Sequence, residues 1–246
     1  MRRIGFSTGA LARGDFRKGI HLQESYAEEA KALELSALRE DELAELVDAI
    51  PQLDLRTFEY VSFHAPSSRI RFSEQELVSC LTEVAKNVRN IIVHPDIIDK
   101  PSAWESIQEF VVLENMDQRK AGARTAIELK RFFDALPKAR FCFDIGHARQ
   151  VDPSLSVAVE LLRAFANRLS EIHISEVDAA SRHVAISSAA MSSYRRIAPL
   201  IPRDIPVIVE SSVPPDSLVD EIKMALASLG DRLPDRAAAA TTVSVG

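Results

Sequence analysis

The stretch Arg140-Phe141-Cys142-Phe143-Asp144-Ile145-Gly146-His147 begins as a short apolar, aromatic run and ends in an acidic residue and a histidine. A run of this length and composition is typical of a β-strand. It is followed by Asp152-Pro153, which we expect to open a helix, and then by apolar residues at helical spacing: Leu155, Val159, Leu162 and Phe165. A strand followed by a helix is the repeating unit of a parallel sheet.

Eight such runs occur along the chain, each followed by a segment with helical spacing. They are Arg3 to Ser7, Ala32 to Leu35, Tyr60 to His64, Ile91 to His94, Phe110 to Glu114, Arg140 to Asp144, Glu171 to Ser175 and Pro206 to Glu210. Eight units in 246 residues, about 31 residues each, are what a closed barrel requires. We therefore predict an α/β fold, a single (β/α)8 TIM barrel over residues 1–230, and a disordered tail over residues 231–246.

Composition restricts the classes of function. Lys plus Arg number 30 and Asp plus Glu number 36, a net charge of -6, so there is no general positive field to attract nucleic acid or an anionic membrane. No apolar run reaches the roughly 18 residues of a membrane-spanning helix, and no apolar stretch typical of a secretory signal follows Arg2-Arg3. Cys80 and Cys142 lie far apart and form no CxxC motif. We expect a cytoplasmic enzyme without a membrane partner, and a homo-oligomer stays open.

Polar residues end most of the predicted strands. Six strands, from the third onward, end in a residue type that binds metals: His64, His94, Glu114, Asp144, His173 and Glu210. In a barrel the carboxyl ends of the strands converge on one mouth. His147, in the predicted loop after the sixth strand, and His183, after the seventh, should reach the same cavity, whereas His21 should lie at the surface.

Joint placement favours a metal for part of this set. Several carboxylates in one buried mouth would repel one another strongly, and a divalent cation is the simplest compensation. We therefore predict metal ligation by Glu114, Asp144, His173 and Glu210. The roles of His64, His94 and His147 stay open between ligand, substrate contact and structural residue, and so does His183 as an additional ligand. Glu34 has either an ion-pair or a catalytic role, and Asn115, Asp117 and Ser175 are candidates for orienting the ligands.

These residues resemble the xylose isomerase-like (β/α)8 barrels, a superfamily of sugar isomerases, epimerases and type IV apurinic/apyrimidinic endonucleases. The resemblance covers about residues 3–229. It implies that a divalent ion is held by residues from strands five to eight, which match Glu114, Asp144, His173 and Glu210. It also implies that His147, in the element Asp144-Ile145-Gly146-His147, contacts the substrate in epimerases.

The endonuclease branch of that superfamily carries further histidines for three zinc ions. His64-Ala65-Pro66 and His94-Pro95 match two of its elements and imply a second metal position bridged by Glu114. The third element departs from the pattern, because Ser181 stands where a zinc-binding Asp is expected before His183. That departure counts against a third zinc ion and against DNA repair.

Two enzymatic functions and one non-catalytic function follow. The favoured one is a divalent-metal isomerase or epimerase of a sugar or sugar phosphate, in which Glu114 and Glu210 move a proton through an enediolate and His147, His64 and His94 contact the substrate. The ligand set suits Mn, Mg, Co or Zn. The alternative is a zinc-dependent phosphodiester hydrolase, which predicts a basic mouth; ten basic residues fall in the predicted mouth loops, together with seven acidic ones. A binding barrel without activity is the third. We also consider that residues 7–22, a predicted loop with three glycines, could close over the site as a lid.

Overall fold

The eight apolar runs form strands at positions within two residues of those predicted. A computed structural model describes residues 2–233, which contain ten strands: β1 (Ile4–Ser7), β2 (Ala32–Ser36), β3 (Tyr60–His64), β4 (Ile91–Val93), β5 (Val111–Glu114), β6 (Arg140–Asp144), β7 (Leu169–Ile174), β8 (Glu176–Val177), β9 (His183–Val184) and β10 (Val207–Val209). Eight of them close into a parallel barrel in the order β1, β10, β7, β6, β5, β4, β3, β2. The predicted (β/α)8 barrel is confirmed.

Helices connect the strands and cover the barrel. They are α1 (Thr8–Ala12), α2 (Phe16–Glu24), α3 (Glu40–Ala49), α4 (Glu74–Val84), α5 (Ala126–Ala135), α6 (Ile145–Val151), α7 (Ser156–Ala164), α8 (Ser188–Tyr194) and α9 (Leu218–Ser228). Short 3-10 turns add Ile50–Gln52, Pro95–Ile97, Pro101–Ile107, Ala198–Leu200 and Pro215–Ser217. The start of α4 illustrates why these segments are helical. Ser73 Oγ accepts from the backbone N–H of Glu76, and the Glu76 carboxylate accepts from that of Ser73.

Three local expectations are corrected. Residues 7–22 are not a loop: α1 and most of α2 occupy them, and Gly19 lies so close to Thr8 that a Cβ would come within 2.8 Å of it. The helix expected to open at Pro153 begins at Ser156, because Leu155 before it has left-handed backbone with φ 68°; the Asp152 carboxylate accepts from the backbone N–H of Val157 in the first turn. His147 lies in α6 and not in a loop.

Two hydrophobic regions lie on opposite faces of the barrel wall. The outer region is large and continuous, and it packs residues such as Phe141 against the surrounding helices. The inner region is a cluster of only three residues: Ile92, Val112 and Cys142. Side chains alternate along a strand, so the polar residues of the strands share this inner face. The barrel interior is therefore available for polar chemistry.

The described residues end at residue 233. The predicted tail over 231–246 lies outside them from residue 234 onward, so that prediction and the boundary at residue 230 stay predictions. Within residues 2–233, no helix is both long enough and apolar enough to cross a membrane.

Candidate metal centre

A cavity of about 700 Å³ opens at the carboxyl ends of the barrel strands. Six of the histidines and carboxylates predicted for the site line it: His64, His94, Glu114, His147, His183 and Glu210. A second depression of about 770 Å³ lies outside the barrel beside α7, away from any of the potential metal-binding groups found in residues 2–233. The cavity at the strand ends is therefore the candidate site.

The four predicted metal ligands lie together: Glu114 and Glu210 line this cavity, and the fully buried Asp144 and His173 lie against them. One ligand atom from each of Glu114, Asp144, His173 and Glu210 lies within 4.8 Å of the others. His173 Nδ1 is 3.6 Å from Glu114 Oε1 and 3.4 Å from Glu210 Oε1. The pairing of β6 with β7 sets Asp144 directly beside His173. These four side chains could hold one cation.

A second group shares Glu114. The Nε2 atoms of His64 and His94 are each 3.3 Å from Glu114 Oε2, whereas its other oxygen, Oε1, is 3.2 Å from His147 Nδ1. One ligand atom from each of His64, His94 and Glu114 also lies within 4.8 Å of the other two, close enough to share a metal. The two oxygens of Glu114 thus face different histidines, as a bridging carboxylate requires.

A third group forms where the sequence gave reason to doubt one. The antiparallel pair β8 and β9 returns His183 to the mouth, so that its ring lies 5.2 Å from the ring of His147. Asp144 completes this group, and the three residues could share a metal. Ser181 is not part of it, because its Oγ accepts from Gln150 Nε2 at 2.8 Å. Asp144 supplies the carboxylate that Ser181 cannot.

Hydrogen bonds to neighbouring oxygens orient several of these histidines. His64 Nδ1 lies 2.7 Å from the Ala65 carbonyl oxygen, and donation of its proton there leaves Nε2, which faces Glu114, as the ligand atom. His147 Nδ1 lies 3.0 Å from the Asn115 carbonyl oxygen and also faces Glu114, at 3.2 Å. Ser175 Oγ similarly contacts His183 Nδ1 at 2.8 Å. Such outer partners are usual around metal-binding histidines.

The remaining orienting candidates behave differently from one another. The Asn115 amide exchanges two hydrogen bonds of 2.9 Å with the backbone of Asp144, and so fixes the end of β6. Asp117 instead pairs with Arg119 at 2.7 Å. His21, as predicted, is at the surface, within α2.

The electrostatics of the site show a shortage of positive charge. Burial alone would lower the pKa of the histidines, but Glu34 and Glu114 raise that of His64 to about 9, and Asp144 and Glu114 raise that of His147 to about 10. Burial raises the pKa of Asp144 to about 8. The pKa of Glu114 is held well below its usual range against burial, by His173 first and then His147.

Unsatisfied buried atoms indicate what is needed there. Within the described protein, six atoms of the site make no hydrogen bond: Glu34 Oε2, His94 Nδ1, Glu114 Oε2, Asp144 Oδ2, His173 Nδ1 and Glu210 Oε2. Buried polar atoms are almost always paired, so such a convergent set needs an explanation. Four of the six belong to the predicted ligand set. Divalent cations therefore fit the residues present.

Two buried carboxylates extend the site below its floor. Glu34 and Glu171 are fully buried, and each has an oxygen near His173 Nε2, at 3.1 and 2.9 Å. The sequence leaves the role of Glu34 open between an ion pair and catalysis, and it predicts Glu171 only as a residue of the seventh strand. The available signal was its position two residues before His173 on β7, which places both side chains on the inner face.

The mouth is only weakly basic. Of the ten basic residues in the predicted mouth loops, four line the cavity: Arg13, Arg119, Lys120 and Arg182. Three of these are paired with neighbouring carboxylates at 2.6 to 2.7 Å. Arg13 has no carboxylate partner among residues 2–233.

Comparison with solved structures shows the fold. A candidate sugar phosphate isomerase/epimerase from Anabaena variabilis gives a TM-score of 0.59 at 12% identity, over 90% of this chain and 88% of that one. The crystal structure of SacUVDE gives a TM-score of 0.54 at 13% identity, over 94% of this chain and 100% of that one. Dihydropteroate synthase from Xanthomonas albilineans gives 0.53 at 15% identity, over 92% of each chain. No protein-family model matches the sequence, and no curated protein matches it.

These neighbours share the barrel with this chain, and the fold that the resemblance implies is confirmed. Proteins named for two different activities, a sugar phosphate isomerase/epimerase and a dihydropteroate synthase, nevertheless superpose nearly equally well. The reaction must therefore be argued from the site.

Proposed function

We propose that this protein is a metal-dependent hydrolase of phosphate esters that works with two or three divalent ions. This was the second of the two enzymatic functions considered from the sequence. The observation that carries it is Glu114, whose Oε2 lies 3.3 Å from both His64 and His94 while Oε1 faces His147 and His173. A carboxylate so placed is suited to bridge two cations. Bridged cations are typical of phosphatases and nucleases.

Charge balance supports more than one ion. Asp117 lines the cavity but is paired with Arg119, and five further carboxylates line or underlie it: Glu34, Glu114, Asp144, Glu171 and Glu210. With neutral histidines as ligands and all five carboxylates ionised, their charge is -5. One dication leaves about -3, two leave about -1 and three give about +1, and a large uncompensated charge is costly in a buried site. Two or three ions come closest to neutrality.

Three positions for ions can be assigned. The first is held by His64, His94 and Glu114, the second by Glu114, Asp144, His173 and Glu210, and the third by Asp144, His147 and His183. Bound ions would lower the pKa of a water molecule and stabilise negative charge on phosphoryl oxygens.

The remaining groups select and position the substrate. Arg13 lines the cavity and has no carboxylate partner in residues 2–233, so it is available to a phosphate. Glu210 Oε2 makes no hydrogen bond with the described protein and can accept the proton of an attacking water. A cavity of about 700 Å³ suits a small phosphorylated molecule, such as a sugar phosphate, or a single nucleotide unit. The paired charges at the mouth make a long nucleic acid the less favoured partner.

An isomerase or epimerase with a single divalent ion is the second candidate. The observation in its favour is that Glu114 and Glu210 face the same nitrogen of His173, at 3.6 and 3.4 Å. They would serve as the two groups that remove and return a carbon-bound proton. His147, His64 and His94 would then contact hydroxyl groups of the substrate.

Metal content distinguishes the two. The protein should be purified without chelators and its metal per chain measured by elemental analysis. We expect two or three ions of Zn, Mn or Co, with one lost in His64→Ala and more than one in Glu114→Gln. His21→Ala is the matched control, because that side chain is 82% exposed, and it should keep every ion. A single ion that survives in His64→Ala would contradict the hydrolase and support the isomerase.

Activity gives the second test. The hydrolase should release nitrophenol from nitrophenyl phosphate mono- or diesters, and His94→Ala should reduce that rate while His21→Ala does not. The isomerase should instead exchange a carbon-bound proton of a ketose or ketose phosphate with deuterated solvent. Proton exchange without ester hydrolysis would reverse the order of the two candidates.

A further inference from the structure

The barrel interior directly beneath the metal centre is polar. Barrels of this type usually fill their interior with branched apolar side chains. Here that level contains the fully buried carboxylates of Glu34 and Glu171, together with Ser62. Burying carboxylates is costly unless each oxygen is paired, so the contacts of these two indicate their role.

Glu171 is held on all sides by hydrogen bonds. Tyr60 donates its hydroxyl proton to Oε2, and Ser62 Oγ donates to Oε1 at 3.2 Å. Asn90 Nδ2 donates in turn to the Tyr60 hydroxyl oxygen. Tyr60, Ser62 and His64 occupy every second position of β3, so their side chains share one face of the strand. The strand that supplies a candidate ligand therefore also holds Glu171.

The remaining partner of Glu171 is His173. Its Nε2 lies 2.9 Å from Glu171 Oε1 in hydrogen-bonding geometry. Its other nitrogen, Nδ1, makes no hydrogen bond and faces Glu114 and Glu210. A ring that donates its Nε2 proton downward presents Nδ1 upward as the ligand atom.

We propose that Glu171 is a positioning residue that accepts the Nε2 proton of His173 and thereby fixes the orientation of the ring and Nδ1 as its metal-binding atom. Glu171 contacts neither substrate nor metal in this assignment. The proposal rests on the metal centre of the proposed function but not on which reaction that centre performs.

Glu34 provides the contrast. Its Oε2 lies 3.1 Å from the same nitrogen but makes no hydrogen bond with the described protein. Its Oε1 accepts from Ser36 at 3.2 Å. Two buried carboxylates therefore approach one ring nitrogen, and the hydrogen-bond geometry selects Glu171.

Ligand atoms of Cys142, Glu171 and His173 also lie within 4.8 Å of one another, close enough for a metal site of their own. Both oxygens of Glu171 already accept hydrogen bonds, and His173 Nε2 is committed to one of them. A metal there would have to break these bonds. Orientation of His173 accounts for the same contacts without that cost.

The matched variants Glu171→Gln and Glu34→Gln test the proposal, since each removes one carboxylate near the same nitrogen at almost constant volume. Co²⁺ affinity should be measured by competition with a chromophoric chelator, along with thermal unfolding. We expect Glu171→Gln to weaken binding about 10-fold or more, within the range known for outer partners of ligands, and Glu34→Gln to change it less than about 3-fold. Equal losses in both variants, or no loss in Glu171→Gln, would overturn the proposal.

Nitrogen-15 NMR of the zinc-loaded wild type gives a readout that does not depend on a variant folding. The proposal requires a proton on Nε2 of His173 and a metal-shifted Nδ1; the reverse pattern would refute it. His173→Ala distinguishes a failure of the proposed metal centre from a failure of the positioning role of Glu171. If His173→Ala binds Co²⁺ as the wild type does, the proposed metal centre itself is wrong. If it loses Co²⁺ while Glu171→Gln does not, only the positioning role is wrong.

Discussion

Metal binding should release several protons from the centre. In the metal-free protein the pKa of His64 is raised to about 9, that of His147 to about 10 and that of Asp144 to about 8. Against burial, Cys142 and then the carboxylates Glu210, Glu34 and Glu114 raise the pKa of His173 well above its usual value. All four groups are therefore mainly protonated at pH 7. Ligands must be deprotonated to bind a metal, so full loading displaces up to four protons. His183 adds none, because burial lowers its pKa.

Calorimetric titration with Zn²⁺ at pH 7, in buffers that differ in ionisation enthalpy, measures this number directly. We expect about three to four protons per chain, falling by about one in His64→Ala, and an affinity that rises with pH as the competing protons are lost. His21→Ala should leave the number unchanged. Fewer than one proton released in the wild type would refute the reasoning, because the histidines would then be neutral before the metal arrives.

Three further outcomes are expected. After chelation, the melting temperature should fall as the pH rises from about 7 to about 10. Groups whose pKa is raised in the folded state stabilise the fold below their usual pKa, and they lose that contribution as the pH passes the raised value. A melting temperature that does not change over this pH range would contradict this. Gly5→Ala should give no folded protein by circular dichroism, since its Cβ would lie 1.6 Å from the Ala32 carbonyl oxygen; a native spectrum would contradict this. Glu74→Ala should lower the free energy of unfolding in urea by about 3 kcal/mol with unchanged metal content, because the carboxylate accepts from Trp104 Nε1 at 2.7 Å and from the Lys100 backbone at 3.1 Å; a loss under about 1 kcal/mol would contradict it.

The strands could be predicted because their signals are local. The run Tyr60 to His64 coincides with β3, and the capping residues Ser73 and Glu76 mark the start of α4. The helices within residues 7–22 could not be predicted from local sequence, because the three glycines of this segment lower its helix propensity. In the folded chain the lack of a side chain at Gly19 is what lets α2 approach Thr8. Packing between distant residues overrides the local preference there.

The site was predictable only where strand ends identify residues. Glu114, Asp144, His173 and Glu210 follow from the convergence of the strands alone. Of the third group, His147 and His183 were predicted to reach the cavity, but their grouping with Asp144 depends on the antiparallel pair β8 and β9, which has no local signal. The motif places the expected carboxylate beside His183, whereas the fold supplies it from β6.

Apolar side chains lie mainly on the outer face of the barrel wall and polar ones on the inner face, and this separation explains how the fold tolerates so polar an interior. Its large apolar cluster lies outside the wall, where aromatic residues such as Phe141 pack against helices, and only three residues form the inner cluster. Stability therefore comes chiefly from the outer shell, and the inner face can hold carboxylates that would weaken a smaller fold. Binding adds to this: a metal at about 100 times its Kd stabilises the folded state by about 2.7 kcal/mol per site. The polar interior would thus be a cost mainly to the metal-free chain, and occupancy of the proposed centre would offset it.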